Sequence, residues 1–162
     1  MQKPLRTLGR FTSAVLGLAF GLCMAELTFG GLRPQDAPAG AVLYSVEVRD
    51  AEGVLLASPL VVGREGEKVH LSLSQPVGPH SEPLQMALDL DPQNEARGLC
   101  VGYQLSLDQG APYSGRIGLG YGERRSVRLL SAGEDLQLSL TVARAHTRAF
   151  DKILRNRRRT AS

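Results

Sequence analysis

The side chains best suited to chemistry are spread thinly along these 162 residues. His70, His80 and His146 are the only histidines, and no two of them stand at the spacing of a metal-ligand pair. No Cys-x-x-Cys, His-Glu-x-x-His or Gly-x-Ser-x-Gly motif occurs, so spacing assigns no metal, no cofactor and no catalytic nucleophile with its base. His70 falls on the polar face of an alternating segment and reads as a surface histidine. Asp89 and Asp91 share one face of a strand end. A calcium ion needs about six to eight oxygen ligands, and no loop of the EF-hand kind supplies the rest. Of the two cysteines, Cys23 and Cys100, the second reads as a small, buried, inert side chain, with pairing between chains as the alternative.

Two other patterns carry binding rather than catalysis. Gly118, Gly120 and Gly122 alternate with Ile117, Leu119 and Tyr121. No helix follows, so this is not a dinucleotide fingerprint. On a strand it strips one face of side chains. Either a partner approaches there, or the strand twists strongly under its own loop. The second pattern is the tail, residues 146–162. Ala149, Phe150, Ile153 and Leu154 fall on one side of a helix, amid Arg148, Lys152, Arg155, Arg157, Arg158 and Arg159. Such a tail docks on an anionic surface (lipid headgroups, a cell-wall polymer or an acidic protein), or it is a solvated terminus.

Charge is distributed unevenly. The formal net charge is +3, but the N-terminal 25 residues and the tail are basic and the body between them is mildly acidic. A nucleic-acid-binding fold spreads positive charge over its folded surface, so nucleic acid is not an expected partner. Residues 1–10 are basic, residues 14–25 are apolar and uncharged, and Cys23-Met24-Ala25 supplies a small-residue cleavage site. This layout predicts a secretory signal over 1–25. The apolar run is short of the about 20 residues of a membrane span, though an uncleaved anchor is the rival. Leu22 before Cys23 argues against lipidation. The expected location is periplasmic or secreted.

Behind these patterns stand the elements that position them. Residues 26–41 are rich in Gly, Pro and Ala and read as a flexible leader. From 42 onward apolar residues recur at every second position: Val42 to Val48, Val69 to Leu73, Leu84 to Leu90, Leu99 to Leu107, Leu136 to Val142. That period puts one row of each strand in a core and the other in water. Residues 54–62 and 69–73 read as a hairpin around Arg64–Glu67, with Pro59 making its first half an edge strand or two short ones. Residues 113–121 and 125–130 read as a second hairpin around Gly122-Glu123. The longest strand is expected at 99–108, and Asp91–Glu95 is expected to end the strand before it. Aromatics are only 5%, so Leu, Val and Ala must build the core.

The prediction is an all-β, antiparallel β-sandwich of seven to nine short strands over 42–145, with a short basic C-terminal helix or tail. An echo runs through it. Gly66-Glu67 and Gly122-Glu123 precede similar strands, and Leu84-Gln85-Met86-Ala87-Leu88 matches Leu136-Gln137-Leu138-Ser139-Leu140. Duplication explains the echo; so does the sameness of amphipathic strands.

Residues 54–108 resemble the β-rich core of secretins, the outer-membrane rings of secretion and pilus systems. The matching pieces are Val54-Leu55-Leu56-Ala57-Ser58-Pro59, the segment Glu67 to Leu73, Leu88-Asp89-Leu90-Asp91-Pro92 and the strand 99–107. The chain lacks the upstream ring-forming domains and the length of a gated barrel. The resemblance therefore implies at most a detached module of similar pairing in an envelope setting.

The expected function is non-catalytic binding or scaffolding in the cell envelope, through the basic tail and the glycine strand at Gly118 and Gly120. The runner-up is a secretin-like or secretion-associated subunit that oligomerises through edge strands. A hydrolase needs a pocket joining Asp, His and Ser or Tyr side chains from distant strands.

Overall fold

A computed structural model describes residues 37–75, 83–96, 98–108, 110–131 and 134–160, with side chains through Asn156 except those of Gln75, Ser131 and Glu134. The expected signal segment, and the expected leader up to residue 36, lie outside the described residues. The described residues form nine strands: β1 (Ala41–Arg49), β2 (Leu55–Ala57), β3 (Leu60–Arg64), β4 (Val69–Gln75), β5 (Leu84–Glu95), β6 (Gly98–Leu107), β7 (Tyr113–Leu119), β8 (Arg124–Ser131) and β9 (Glu134–Arg144). One helix follows, α1 (Arg148–Thr160). All pairing is antiparallel. Sheet A runs β2-β1-β9-β8, with β3 also on β1; sheet B runs β4-β5-β6-β7. The chain is an all-β sandwich, as its period-two alternation requires.

The inward rows are those the alternation marks. Val42, Tyr44, Val46 and Val48 from β1 meet Met86, Leu88 and Leu90 from β5, Val101 and Leu105 from β6, and Leu138, Leu140 and Val142 from β9. Each of these is at most 2% exposed, so burying them supplies the main driving force at about 1.5–3 kcal/mol per large side chain.

Three expectations change. The two supposed hairpins are not hairpins. β3 pairs with β1 in sheet A, while β4 pairs with β5 in sheet B. Likewise β7 pairs with β6 and β8 with β9. Each Gly-Glu turn is a corner that carries the chain from one sheet to the other. Gly66 (φ 77°) and Gly122 (φ 81°) take the left-handed conformation that these corners need. Next, β5 does not end at Asp91. It runs on through a buried Pro92 to Glu95, opposite β6, and is the longest strand. Proline is tolerated there because β4 stops pairing at Val69–Leu90, so beyond that point β5 has a neighbour on one side only. Finally, the end of the supposed leader is packed: Ala37 and Ala41 are buried under α1. Pro59 behaves as expected, separating β2 from β3 along one edge of β1.

The strand order has an internal two-fold. Replacing β1, β3, β4 and β5 by β6, β7, β8 and β9 turns the order of sheet A into that of sheet B. Each sheet holds the first two strands of one unit and the last two of the other. The Gly-Glu and Leu-Gln echoes sit at equivalent places in this scheme: the two corners, and strands β5 and β9.

The helix closes a second core. Leu43 and Ala143 point away from the sandwich interior, and with Ala41, Leu60 and Val62 they make an apolar patch on the outer face of sheet A. Phe150 and Leu154 of α1 lie on this patch, 0% and 5% exposed, with Ala149 and Ile153 beside them. Thr147 caps the helix: its hydroxyl accepts from the Phe150 amide at 3.3 Å and donates to the Arg144 carbonyl at 2.7 Å. Phe150→Ala should cost about 3–5 kcal/mol in urea unfolding, a large share of the about 5–15 kcal/mol of a typical domain. An unchanged midpoint would show that the tail is not part of the fold.

Candidate functional site

The outer face of sheet B carries the polar rows of four strands. His70, Asp89, Gln104 and Ser114 stand side by side across it. Two residues along, Asp91, Gly102 and Arg116 form the next row, and the missing side chain at Gly102 leaves an open depression of about 650 Å³. Asp89 and Asp91 are both engaged: His70 Nδ1 lies 2.6 Å from Asp89 Oδ1, and Lys68 Nζ lies 3.2 Å from Asp91 Oδ2. His70 is thus a surface residue, as its strand position implied.

This depression does hold Asp, His and Ser side chains, a combination a hydrolase could use, but not in a usable order. Ser114 is three strands from His70, about 14 Å at ordinary strand spacing, with Asp89 and Gln104 between them. His70 and Asp89 are more than half exposed, so water competes for the dyad. Tyr103 faces inward and its ring covers Gly115, whose absent Cβ would meet the phenol oxygen at 2.5 Å. That is glycine on an edge strand shielded by a neighbouring aromatic.

The structure separates the candidate glycines. Gly118 is exposed, and a Cβ there would meet nothing within 4 Å. Within the chain its own loop does not cover it. Gly120 lies beyond β7 in the corner, where its amide donates to Glu123 Oε2 at 2.9 Å. The close approach is at Gly122, where a Cβ would lie 2.9 Å from that of Ala149 in α1. Cys100 is not buried either: it sits on the outward face of β6, opposite Gly118, and is half-exposed.

The tail residues divide cleanly. The apolar stripe is spent on sheet A, while Arg148, Lys152 and Arg155 are exposed with no acidic partner among the described residues. The side chains of Arg157, Arg158 and Arg159 lie outside the description, although the helix backbone runs through them. On the same outer face of sheet A, in rows beyond the helix, stand Arg49, Arg124 and Arg128. Glu47 pairs with the first two, at 3.2 and 2.8 Å, offsetting one of their two charges; Arg128 has no such partner among the described residues. Sequence reading singled out the tail but not these β8 arginines, because only the pairing of β8 with β9 brings them to the helix's side of the molecule.

A third cluster fastens one end of the sandwich. Arg144 from β9 pairs with Glu65 from the first corner, and its guanidinium lies 4.1 Å above the ring centre of Tyr121 from the second. The Tyr121 hydroxyl donates to Glu65 Oε1 at 3.1 Å or Asn94 Oδ1 at 3.2 Å. The hydrogen bond from Arg144 holds the Glu65 carboxyl below the usual range, while burial pushes the Tyr121 and Tyr44 phenols up. This cluster binds both corners to the last strand and reads as a structural clasp.

Comparison with protein-family models, with curated proteins and with solved structures gives no match. Among the described residues no group of three or more His, Cys, Asp or Glu side chains is placed to hold a metal, and no helix is long and apolar enough to cross a membrane.

Because Glu65 titrates lower in the folded chain than in the unfolded one, its contribution is complete above about pH 4.3 and is lost as pH falls below that. Glu65→Gln should therefore lower stability at pH 7 and flatten the acid limb of a stability-against-pH curve measured by urea unfolding. A mutant curve parallel to the parent would show that the clasp does not operate.

Proposed function

We propose that this protein is a non-catalytic binding module of the cell envelope that docks on an anionic surface through the polar side of α1. One observation carries the reading: the helix spends its apolar stripe on its own sheet and turns Arg148, Lys152 and Arg155 to solvent without acidic partners. The sequence adds Arg157, Arg158 and Arg159 to the same helix. The envelope setting rests on the signal-like layout of residues 1–25.

The packing also sets the mode of contact. An interfacial membrane helix inserts its apolar face among acyl chains. Here that face is occupied by Leu43 and Ala143, so what remains is electrostatic attraction. Each basic residue near an anionic membrane contributes about 1 kcal/mol. Arg148, Lys152 and Arg155 together amount to about 3 kcal/mol, roughly a hundredfold in affinity. Such binding is salt-sensitive, since the Debye length falls from about 8 Å at physiological ionic strength to about 3 Å at 1 M.

Vesicles containing an anionic phospholipid should co-sediment the protein at low salt and release it at high salt, and neutral vesicles should not bind it. A parallel arm with an anionic cell-wall polymer separates the two sources of charge. Replacing Arg148, Lys152 and Arg155 together by Glu should abolish capture while leaving the urea midpoint nearly unchanged. Capture that survives this change, or is insensitive to salt, would overturn the proposal.

A further inference from the structure

A sandwich of two open sheets has four edges, and three of them are blunted here. The β2/β3 edge is broken at Ser58–Pro59. β8 carries Arg124, Arg125 and Arg128, and β7 carries Arg116 beside Gly115 and Gly118. Charges, prolines and interruptions are the usual means of keeping an edge from pairing with another chain. β4 has none of them. Its sequence is Val-His-Leu-Ser-Leu-Ser-Gln, seven residues without proline, glycine or a permanently charged side chain. Its one ionisable group, His70, is tied to Asp89 on the inner neighbour β5. Among the described residues β5 is the only strand paired with it.

The contrast is sharper for the internal two-fold. β4 and β8 are equivalent strands in the two units, so similar edges differ only in their side chains. Along β4, Leu71 and Leu73 face inward yet stay partly exposed at the rim of the core, while Ser72 and Ser74 face out and are exposed.

We propose that β4 is a dimerisation edge, pairing antiparallel with β4 of a second copy to join two B sheets into one of eight strands. Self-complementarity selects this occupant. Opposite residues in an antiparallel pair point to the same side of a sheet. Full overlap of residues 69–75 therefore places the two-fold at Ser72. Val69 then faces Gln75, His70 faces Ser74 and Leu71 faces Leu73 of the other copy, and Ser72 faces itself. No like charges meet, and the half-exposed leucines are covered. The same full overlap on β7, centred on Arg116, sets that arginine against itself, so β7 is closed to self-pairing where β4 is open. A ribbon of this length buries less than the about 1,600 Å² of a standard interface. The dimer is thus a weak one, with a dissociation constant on the order of 10–100 μM. It does not rest on the cationic side of α1, which belongs to the other sheet.

The test uses the register. The full chain is examined by sedimentation equilibrium from about 1 μM to about 1 mM, a range that spans the expected constant. It should pass from monomer to dimer. Ser72→Lys and Ser72→Asp, both at an exposed position, each set like charges face to face at the two-fold. Each should remain monomeric while keeping the parent's circular dichroism. Mixed in equal amounts, the two variants should form a one-to-one dimer. A parent chain that stays monomeric throughout overturns the proposal. So does a Ser72→Lys variant that associates as the parent does, or a mixture that fails to pair. Vesicle capture of the parent is read separately, so failure of the dimer and failure of the anionic-surface reading give different results.

Discussion

The arrangement depends on covering an apolar patch on the wrong side of a sheet. Ala41, Leu43, Val62 and Ala143 face outward from sheet A, where an ordinary sandwich is wet. Left bare, they would form a sticky face. Phe150 and Leu154 cover them, and that fixes which side of α1 meets the surroundings. The cationic side is exposed because the apolar side is needed elsewhere. Packing and the proposed docking are linked through this one contact. A tail held only by its linker could turn either side to a partner; a tail docked by Phe150 can offer only its charges.

The corners at Gly66 and Gly122 are the second constraint. Each carries the chain between sheets, so each unit of four strands is divided between the two layers. Neither unit can bury its inward rows without the other. Arg144, Glu65 and Tyr121 tie both corners to the last strand beside the start of α1. The helix reaches the second corner too, through Ala149 against Gly122. Corners, clasp and helix therefore meet at one end of the molecule. The outer face of sheet B, with its engaged carboxylates, is left free of them.

Much of this was legible from period two alone. The inward rows of β1, β5, β6 and β9 follow directly from it, because burial on one face leaves that pattern. The sheet partners were not legible. A Gly-Glu turn between two amphipathic strands looks the same whether the second strand folds back on the first or crosses to the other layer. Only long-range pairing decides, and local residues do not encode it. Pro92 misled for a similar reason: proline argues against a strand interior unless one side of the strand lacks a neighbour, which sequence does not show. One signal was present and passed over. Residues 41–44, Ala-Val-Leu-Tyr, run apolar without a break, and so do 142–143. An unbroken run marks a strand covered on both faces. Leu43 and Ala143 thereby announced a second layer, and the stripe of Ala149, Phe150, Ile153 and Leu154 was its complement. At the candidate site the tail cations were legible, whereas Arg124 and Arg128 reached the same face only through the β8–β9 register.

The central claim is that the C-terminal helix is held down by its apolar side. Nuclear Overhauser contacts in the free protein test it most directly. The account predicts cross-peaks from the Phe150 ring to the methyl groups of Leu43 and Ala143. A Phe150 ring with no such contacts, in a chain whose sheets are otherwise formed, would contradict it.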